Sequence, residues 1–105
     1  MATLRVELKV RDYDLWRSAF ERDAGGRQQA GMRRYRIYRP IDDPFCVMVE
    51  GDFDQPEQAQ VFLDMFQTTV WNDPDKAPAK IGAPRTHIVE LVENRQYSSS
   101  PDEPH

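Results

Sequence analysis

His87 is the one internal histidine of the 105-residue chain, and it is the side chain best suited to acid–base chemistry. An imidazole with an ordinary pKa near ~6.5 can take a proton from a phenol-like substrate. The alternating neighbours Val89 and Leu91 predict that His87 points toward the helices. A hydrogen-bonded structural histidine is the simpler interpretation, because the spacing of the sequence identifies no catalytic partner.

Aromatic side chains form a second group that could do chemistry. They are Trp16, Phe20, Tyr35, Phe62, Phe66 and Trp71. Together they could line a cavity that accepts a planar small molecule, although rings of this size more often simply fill the core. Trp71 is the strongest candidate for a pocket residue, because a helical pattern gives way there to a proline-rich loop.

Arginines are concentrated between residues 27 and 39. If Arg34 and Arg36 share one face of a strand, they could hold an acidic ligand; salt bridges to nearby carboxylates or to a second copy of the chain are the alternative. The whole chain is acidic, with 14 Lys and Arg against 18 Asp and Glu and a net charge of −4. This balance argues against a general nucleic-acid binder, which presents a basic face to phosphates.

Metal ligation and disulfide formation find little support in the sequence. Cys46 is the single cysteine, which excludes an intrachain disulfide and suits a reducing compartment. One internal histidine and scattered carboxylates lack the ligand spacing of zinc or iron sites, so we expect no metal and no cofactor. No apolar run approaches the ~18–20 residues that cross a bilayer, and the N-terminus does not resemble a signal peptide. We therefore expect a cytoplasmic protein that does not contact membranes.

Strict alternation of apolar and polar residues predicts four strands. They span residues 3–10, 32–40, 45–53 and 85–93. Three prolines in residues 72–84 predict an ordered loop or at most one short helical turn before the last strand. The predicted organisation is one domain over residues 1–95, followed by a disordered polar tail over residues 96–105.

Helical spacing predicts two amphipathic helices between these strands. An aspartate at position 12 or 14 can cap the first helix, which is predicted to continue as far as Gly31. The second helix begins near Pro56 and includes Phe62, Phe66 and Val70 on one face. Glu57 is predicted to reach back to its cap.

The element order β-α-β-β-α-β predicts a ferredoxin-like α+β fold, in which two helices cover one face of a four-stranded antiparallel sheet. The other face is left bare. Its predicted residues are Arg5, Glu7, Lys9, Arg34, Arg36, Tyr38, Met48, Glu50, Ile88 and Glu90. This face lacks the base-stacking aromatics of an RNA-binding RRM. Two sheets stacked through a twofold axis would bury its apolar members and let arginines meet carboxylates, so we expect a homodimer.

From about residue 3 to residue 93, the chain resembles the dimeric α+β barrel superfamily. The similarity lies in Asp12-Tyr13-Asp14-Leu15-Trp16-Arg17-Ser18-Ala19-Phe20, Gly31-Met32-Arg33-Arg34-Tyr35-Arg36, Asp42-Asp43-Pro44, Phe53-Asp54 and Gly82-Ala83-Pro84-Arg85. The superfamily includes antibiotic biosynthesis monooxygenase-like domains and proteins described as cyclases. The resemblance implies a homodimer whose sheets close into a barrel, with a pocket between sheet and helices in each subunit.

Some members of this superfamily oxidise aromatic polyketides without a cofactor, and others degrade haem. Haem is a poor expectation here, because the first strand lacks the Asn and the second helix lacks the His of the haem-degrading members. We expect a protein that binds a small apolar or aromatic metabolite, with cofactor-independent oxygenation or cyclisation as candidate activities. A non-catalytic binding or accessory protein is the alternative. The expected catalytic residue is His87, and the expected ligand-binding residues are Trp71, Trp16, Tyr35, Phe62 and Phe66.

Overall fold

The computed structural model describes residues 1–22 and 26–97. Within them, four strands form one antiparallel sheet in the order β2-β3-β1-β4. The strands are β1 (Ala2–Val10), β2 (Arg34–Tyr38), β3 (Cys46–Phe53) and β4 (Lys80–Glu90). The helices α1 (Tyr13–Glu21) and α2 (Pro56–Met65) lie between them in the chain, and α2 runs directly into a π-helical segment, Phe66–Val70. The predicted ferredoxin-like fold is confirmed.

The central strand β1 separates the two faces of the sheet. Its even-numbered residues Leu4, Val6, Leu8 and Val10 are buried, whereas Arg5, Glu7 and Lys9 are exposed. A residue of β3 or β4 that pairs directly with a β1 residue lies on the same face of the sheet as that residue, because side chains alternate along every strand. We call the face that bears the odd-numbered β1 residues the open face.

The core fills the space between the sheet and the helices. Trp16 of α1 and Phe62 and Leu63 of α2 are buried against the even-numbered residues of β1 and against Phe53 of β3. Each large apolar side chain buried in this way contributes roughly 1.5–3 kcal/mol to the hydrophobic driving force of folding. The helix side of the sheet is therefore where a cavity would be enclosed.

Local signals set where the helices begin and end. Asp12 caps α1, since its carboxylate accepts the backbone N–H of Leu15 at 3.1 Å, as predicted. The expected continuation of α1 to Gly31 is wrong: the helix ends at Glu21, and residues 27–31 form turns. At α2, Gln58 accepts the backbone N–H of the capping residue at 3.0 Å, a role expected of Glu57.

Two boundaries differ from the prediction in the last part of the chain. Strand β4 starts at Lys80 rather than residue 85 and ends at Glu90 rather than residue 93. The predicted tail falls mostly on residues 98–105, which lie outside the described residues. Over the described ranges, the longest helical stretches are too short or too polar to cross a membrane.

Candidate functional site

Two small cavities lie between the sheet and the helices, with volumes of about 60 Å³ and 40 Å³. Six side chains line both cavities: Leu8, Trp16, Phe20, Arg27, Phe66 and Trp71. The larger cavity is also bounded by Met32 and Phe62, and the smaller one by residues 76–80 of the loop before β4. Four of the predicted ligand-binding residues are therefore together at one site.

One wall of this aromatic site is a row of rings from α1 and β2. Trp16 and Phe20 are four positions apart on α1 and stack with ring centroids 5.1 Å apart. Tyr35 meets Phe20 edge-on, also at 5.1 Å. Tyr35 is nevertheless 42% exposed and lines neither cavity, so the structure places this predicted residue behind the wall.

A second row of rings comes from α2, the π-helical segment and the residue that follows it. Phe62 and Phe66 lie 4.7 Å apart, and Phe66 meets Trp71 edge-on at 5.7 Å. The backbone N–H of Trp71 donates to the carbonyl of Phe66 at 2.8 Å, which is the five-residue spacing of a π-helix. This wide turn brings the Trp71 ring beside Phe66.

The sequence explains why the helix widens at this point. The Thr69 hydroxyl donates to the carbonyl of Met65 at 2.6 Å, and the Thr68 hydroxyl donates to the carbonyl of Asp64 at 2.9 Å. Such hydroxyls compete with backbone N–H groups for the carbonyls four residues earlier and bend helices. Two consecutive threonines therefore favour the π-helical geometry that precedes Trp71.

Arg27 also lines both cavities, although its place in the sequence does not indicate this. Its guanidinium carbon lies 3.9 Å from the centroid of the Phe20 ring and 5.3 Å from that of Tyr35. One of its terminal nitrogens donates to the carbonyl of Phe20 at 2.9 Å. Because Arg27 lies in a turn rather than in a helix or strand, periodicity gave no indication of where its side chain lies.

His87 lies on the open face, so the expectation that it points toward the helices is wrong. It pairs directly with Arg5, which in turn pairs with Glu50 on the other side of β1. A depression of about 180 Å³ on this face is lined in part by these three residues. The neighbouring Ile88 packs against the core instead. The sheet therefore separates the imidazole from the aromatic site.

An ion-pair network covers much of the open face. Asp52 is only 5% exposed and accepts two hydrogen bonds from the Arg36 guanidinium, at 3.0 and 3.1 Å. Arg34 donates to the same carboxylate at 3.1 Å, and the Thr3 hydroxyl does so at 2.7 Å. The Arg36 hydrogen bonds are the main reason that the pKa of Asp52 is held below its usual value.

Glu50 completes this network. Arg5 approaches its carboxylate at 3.0 Å and Arg36 at 3.1 Å. Of the two interpretations of Arg34 and Arg36, the structure supports salt bridges to nearby carboxylates. These pairs form within one chain.

The one cysteine of the chain, Cys46, is buried. Burial raises the pKa of the Cys46 thiol, and the nearby Glu7 carboxylate adds to this effect. Over residues 1–22 and 26–97, we find no group of three or more His, Cys, Asp or Glu side chains arranged to hold a metal ion.

Comparison with known proteins identifies solved structures that share this architecture. A proposed antibiotic biosynthesis monooxygenase from Bordetella bronchiseptica superposes with a TM-score of 0.70 at 13% identity, covering 88% of this chain and 97% of that one. SnoaB from Streptomyces nogalater, a cofactor-independent oxygenase, gives a TM-score of 0.67 at 15% identity, covering 89% of this chain and 94% of that one. The chain has the fold of these proteins.

A dimeric ferredoxin-like protein from an uncultured marine organism also shares the fold. Its TM-score is 0.66 at 12% identity, and the superposition covers 90% of this chain and 97% of that one. No protein-family model matches the sequence, and no curated protein matches it significantly. The predicted resemblance to antibiotic biosynthesis monooxygenase-like proteins is thus confirmed in the architecture of the chain.

Proposed function

We propose that this protein binds a small apolar or aromatic molecule between its sheet and its helices. The observation that carries the proposal is the pair of cavities whose shared wall is built largely from Trp16, Phe20, Phe66 and Trp71. Apolar, aromatic-lined cavities with few polar groups are typical of small-molecule sites. The shared fold with SnoaB, a cofactor-independent oxygenase, supports the same proposal.

The size of the cavities sets a condition on binding. A cavity of about 150 Å³ holds benzene, and neither cavity here, at about 60 and 40 Å³, reaches that volume. Joined, the two cavities would still be smaller than that volume, so a ligand must also push the shared rings outward to enlarge the space. Phe66 and Trp71 bound the π-helical turn, a geometry that is frequent at functional sites.

Two candidate functions follow from this site. Cofactor-independent oxygenation or cyclisation of the bound molecule is the first. The second, binding without catalysis, is favoured by the charged residues of the cavity walls, which in the described part of the chain are Arg27, Lys76 and Lys80. None of these is a carboxylate or an imidazole that could take a proton from a substrate at neutral pH.

We also propose that the protein is a homodimer through its open face. The face exposes Tyr38, Ile81 and Val89, which are apolar side chains that a second sheet would cover. The dimeric state of the marine ferredoxin-like protein supports this arrangement. Light scattering should give twice the chain mass of 12.3 kDa. A 12.3 kDa particle at micromolar concentration would exclude the dimer.

We also propose that the protein is located in the cytoplasm. The free thiol of Cys46 supports this location, because cysteines stay reduced there.

The ligand proposal can be tested directly with the tryptophans. The chain has two, Trp16 and Trp71, and both line the cavities. Their indole N–H signals in a ¹⁵N-correlated NMR spectrum therefore report on the site. Titration with 2-naphthol should shift both signals saturably. No shift at millimolar 2-naphthol would refute the proposal.

Two variants show whether the shifts of the indole signals report binding in the cavities. Phe66→Leu alters the shared wall and should change the affinity for 2-naphthol several-fold. Val61→Ala, in the adjoining helix but 69% exposed, should leave it unchanged. Oxygen uptake with 2-naphthol then separates the two candidate functions, because only an oxygenase consumes oxygen above the protein-free rate.

A further inference from the structure

A groove on the surface lies next to the larger cavity, between residues 27–35 and the beginning of α2. Its volume is about 580 Å³, which falls within the range of about 300–1,000 Å³ that is usual for small-molecule sites. The two cavities lie far below this range. Among the described lining residues of the groove, Arg34 is the one that belongs to the open face, so pairing of two open faces leaves most of the groove uncovered.

Met32 lies between the groove and the larger cavity. Among the described residues, Met32 and Arg27 are the two whose side chains line both. Arg27 is held in place by its hydrogen bond to the carbonyl of Phe20 at 2.9 Å. The half-buried Met32 side chain is an unbranched thioether, which is flexible and carries no hydrogen-bond donor. Met32 is therefore the part of this partition that a ligand can move.

The backbone around Met32 is fixed, so its side chain can turn without disturbing the sheet. The N–H of Met32 donates to the carbonyl of Arg27 at 3.1 Å, and the N–H of Arg33 donates to the carbonyl of Asp52 at 2.7 Å. The Met32 side chain lies directly on Gly51, where a Cβ atom would be 2.5 Å from its terminal methyl carbon. Glycine at position 51 thus leaves the space that the Met32 side chain fills. Rotation of that side chain would connect the cavity with the groove.

The groove offers polar groups without a clear excess of one charge at its α2 end. Arg33 and Asp54 neutralise each other there in an exposed two-pronged ion pair. Gln28 and Gln58 contribute side-chain amides, and Gln28 is exposed. An amide both donates and accepts hydrogen bonds. This end of the groove therefore suits a polar group that carries no charge, such as a hydroxyl.

We propose that the ligand is an aromatic molecule with a polar, uncharged extension, whose ring lies in the cavities and whose extension passes Met32 into the groove. This inference rests on the proposed function, because it specifies the class of molecule that the site takes. The Met32 side chain turns away from Gly51 to open the passage, and the Gln28 amide binds the extension. The groove supplies space for the part of the ligand that the cavities are too small to hold.

Two probes of equal length test the polar extension. The compounds 2-phenoxyethanol and propoxybenzene differ only in their last group, which is a hydroxyl in the first and a methyl in the second. Both are titrated with the indole N–H signals of Trp16 and Trp71 as the readout. The hydroxyl compound should bind at least about threefold more tightly, a ratio within reach of one net hydrogen bond. Apolar cavities alone would favour propoxybenzene, because burying a hydroxyl without a partner is costly.

Methionine methyl signals test the passage. In protein labelled with ¹³C at the methionine methyl groups, the Met32 signal should shift when 2-phenoxyethanol is added. Met32→Leu nearly preserves the side-chain volume and identifies this signal by its loss. The Met65 signal should stay in place, because Met65 also packs against the core but lines neither the cavities nor the groove.

Variants with matched controls assign these effects to single residues. Met32→Ala removes the partition and should strengthen binding of 2-phenoxyethanol several-fold, whereas Met65→Ala should leave it unchanged. Gln28→Ala should remove most of the preference for the hydroxyl compound. Gln29→Ala should keep that preference, because Gln29 is also exposed but does not line the groove. The dispersion of each variant's NMR spectrum verifies that it is folded.

The possible results separate this inference from the proposed function. Equal or tighter binding of propoxybenzene would overturn the polar extension while leaving the cavities as a binding site. An unmoved Met32 signal, in a titration that shifts the indole signals, would overturn the passage. If neither probe binds and 2-naphthol also fails, the proposed function itself is wrong.

Discussion

Asp52→Asn tests the physical reasoning about the open face most sharply. The substitution keeps the shape of the side chain but removes the charge from a carboxylate that is 5% exposed. The native carboxylate accepts two hydrogen bonds from Arg36 and one each from Arg34 and Thr3. All four donors would then face a neutral amide with one acceptor oxygen.

The expected loss of stability depends on how buried the carboxylate is and on whether water can replace the contacts that the arginines lose. Breaking a buried ion pair costs about 3–5 kcal/mol, and a single hydrogen bond to a charged group contributes about 1.5–3 kcal/mol. In the single chain the side chains of Arg34 and Arg36 are 53% and 37% exposed, so water can solvate them in the variant as long as no second copy covers this face. We therefore expect a loss of about 2 kcal/mol, at the lower end of these ranges.

Urea unfolding at fixed protein concentration measures this loss, because association would otherwise change the apparent stability. With a typical slope of ~2 kcal/mol per molar urea, the midpoint should fall by about 1 M. Asp54→Asn is the matched control: Asp54 also forms a two-pronged pair, with Arg33, but it is exposed and should matter much less. Equal effects of the two substitutions would refute the argument from burial.

The same substitution predicts a pH dependence. The pKa of Asp52 is lowered in the folded protein, chiefly by the hydrogen bonds from Arg36. Its stabilising contribution is complete above the unfolded pKa near ~3.9 and is lost as pH falls through the folded value, because the unfolded chain takes up the proton first. The difference in stability between the native protein and Asp52→Asn should therefore narrow below about pH 4.

Three further substitutions or reactions test local features. Asp12→Ala removes the cap of α1 and should lower the free energy of unfolding by about 1 kcal/mol, as measured by thermal or urea unfolding. Gly31→Ala places a methyl group 2.8 Å from the Gln58 side chain at a φ of +100°, so it should destabilise by more than about 1 kcal/mol, and a neutral result would contradict this geometry. The buried Cys46 thiol, whose pKa is raised by burial, should react with Ellman's reagent slowly in the folded protein and quickly in urea.

Strands with two different faces were predictable from the sequence. In β1 every second residue is apolar and the residues between are charged, so only one orientation buries the apolar set. The order of strands and helices along the chain, β-α-β-β-α-β, then predicted the architecture. Helix ends were harder to predict, because α1 stops at Glu21 although further helix-compatible residues follow.

The orientation of β4 was not predictable from alternation. Ile88 and Val89 are adjacent, so apolar residues occupy both faces of the strand and the pattern gives no phase. Pairing with β1 determines the phase instead, by placing His87 opposite Arg5 and Ile88 opposite Leu4. A register shift between Glu7 and Lys9 adds to the irregularity. His87 was assigned to the wrong face for this reason.

The clustering of the aromatic side chains was easier to predict than the position of Arg27. Trp16, Phe62 and Phe66 lie on helices, where spacing determines which face a side chain occupies. Arg27 belongs to a turn, and its place beside Phe20 depends on a long flexible side chain and on tertiary contacts. The concentration of arginines was visible in the sequence, but which of them meets a ring and which meets a carboxylate was not.

The self-contained ion pairs of the open face bear on how copies of this chain would recognise one another. Glu50 and Asp52 already have arginine partners within their own chain, so they offer little to an incoming subunit. Discrimination between this chain and a related one would then depend on the shapes of apolar side chains such as Tyr38 and Val89. In a homodimer through this face, the carboxylates of Glu50 and Asp52 would therefore add little to the dependence of association on salt.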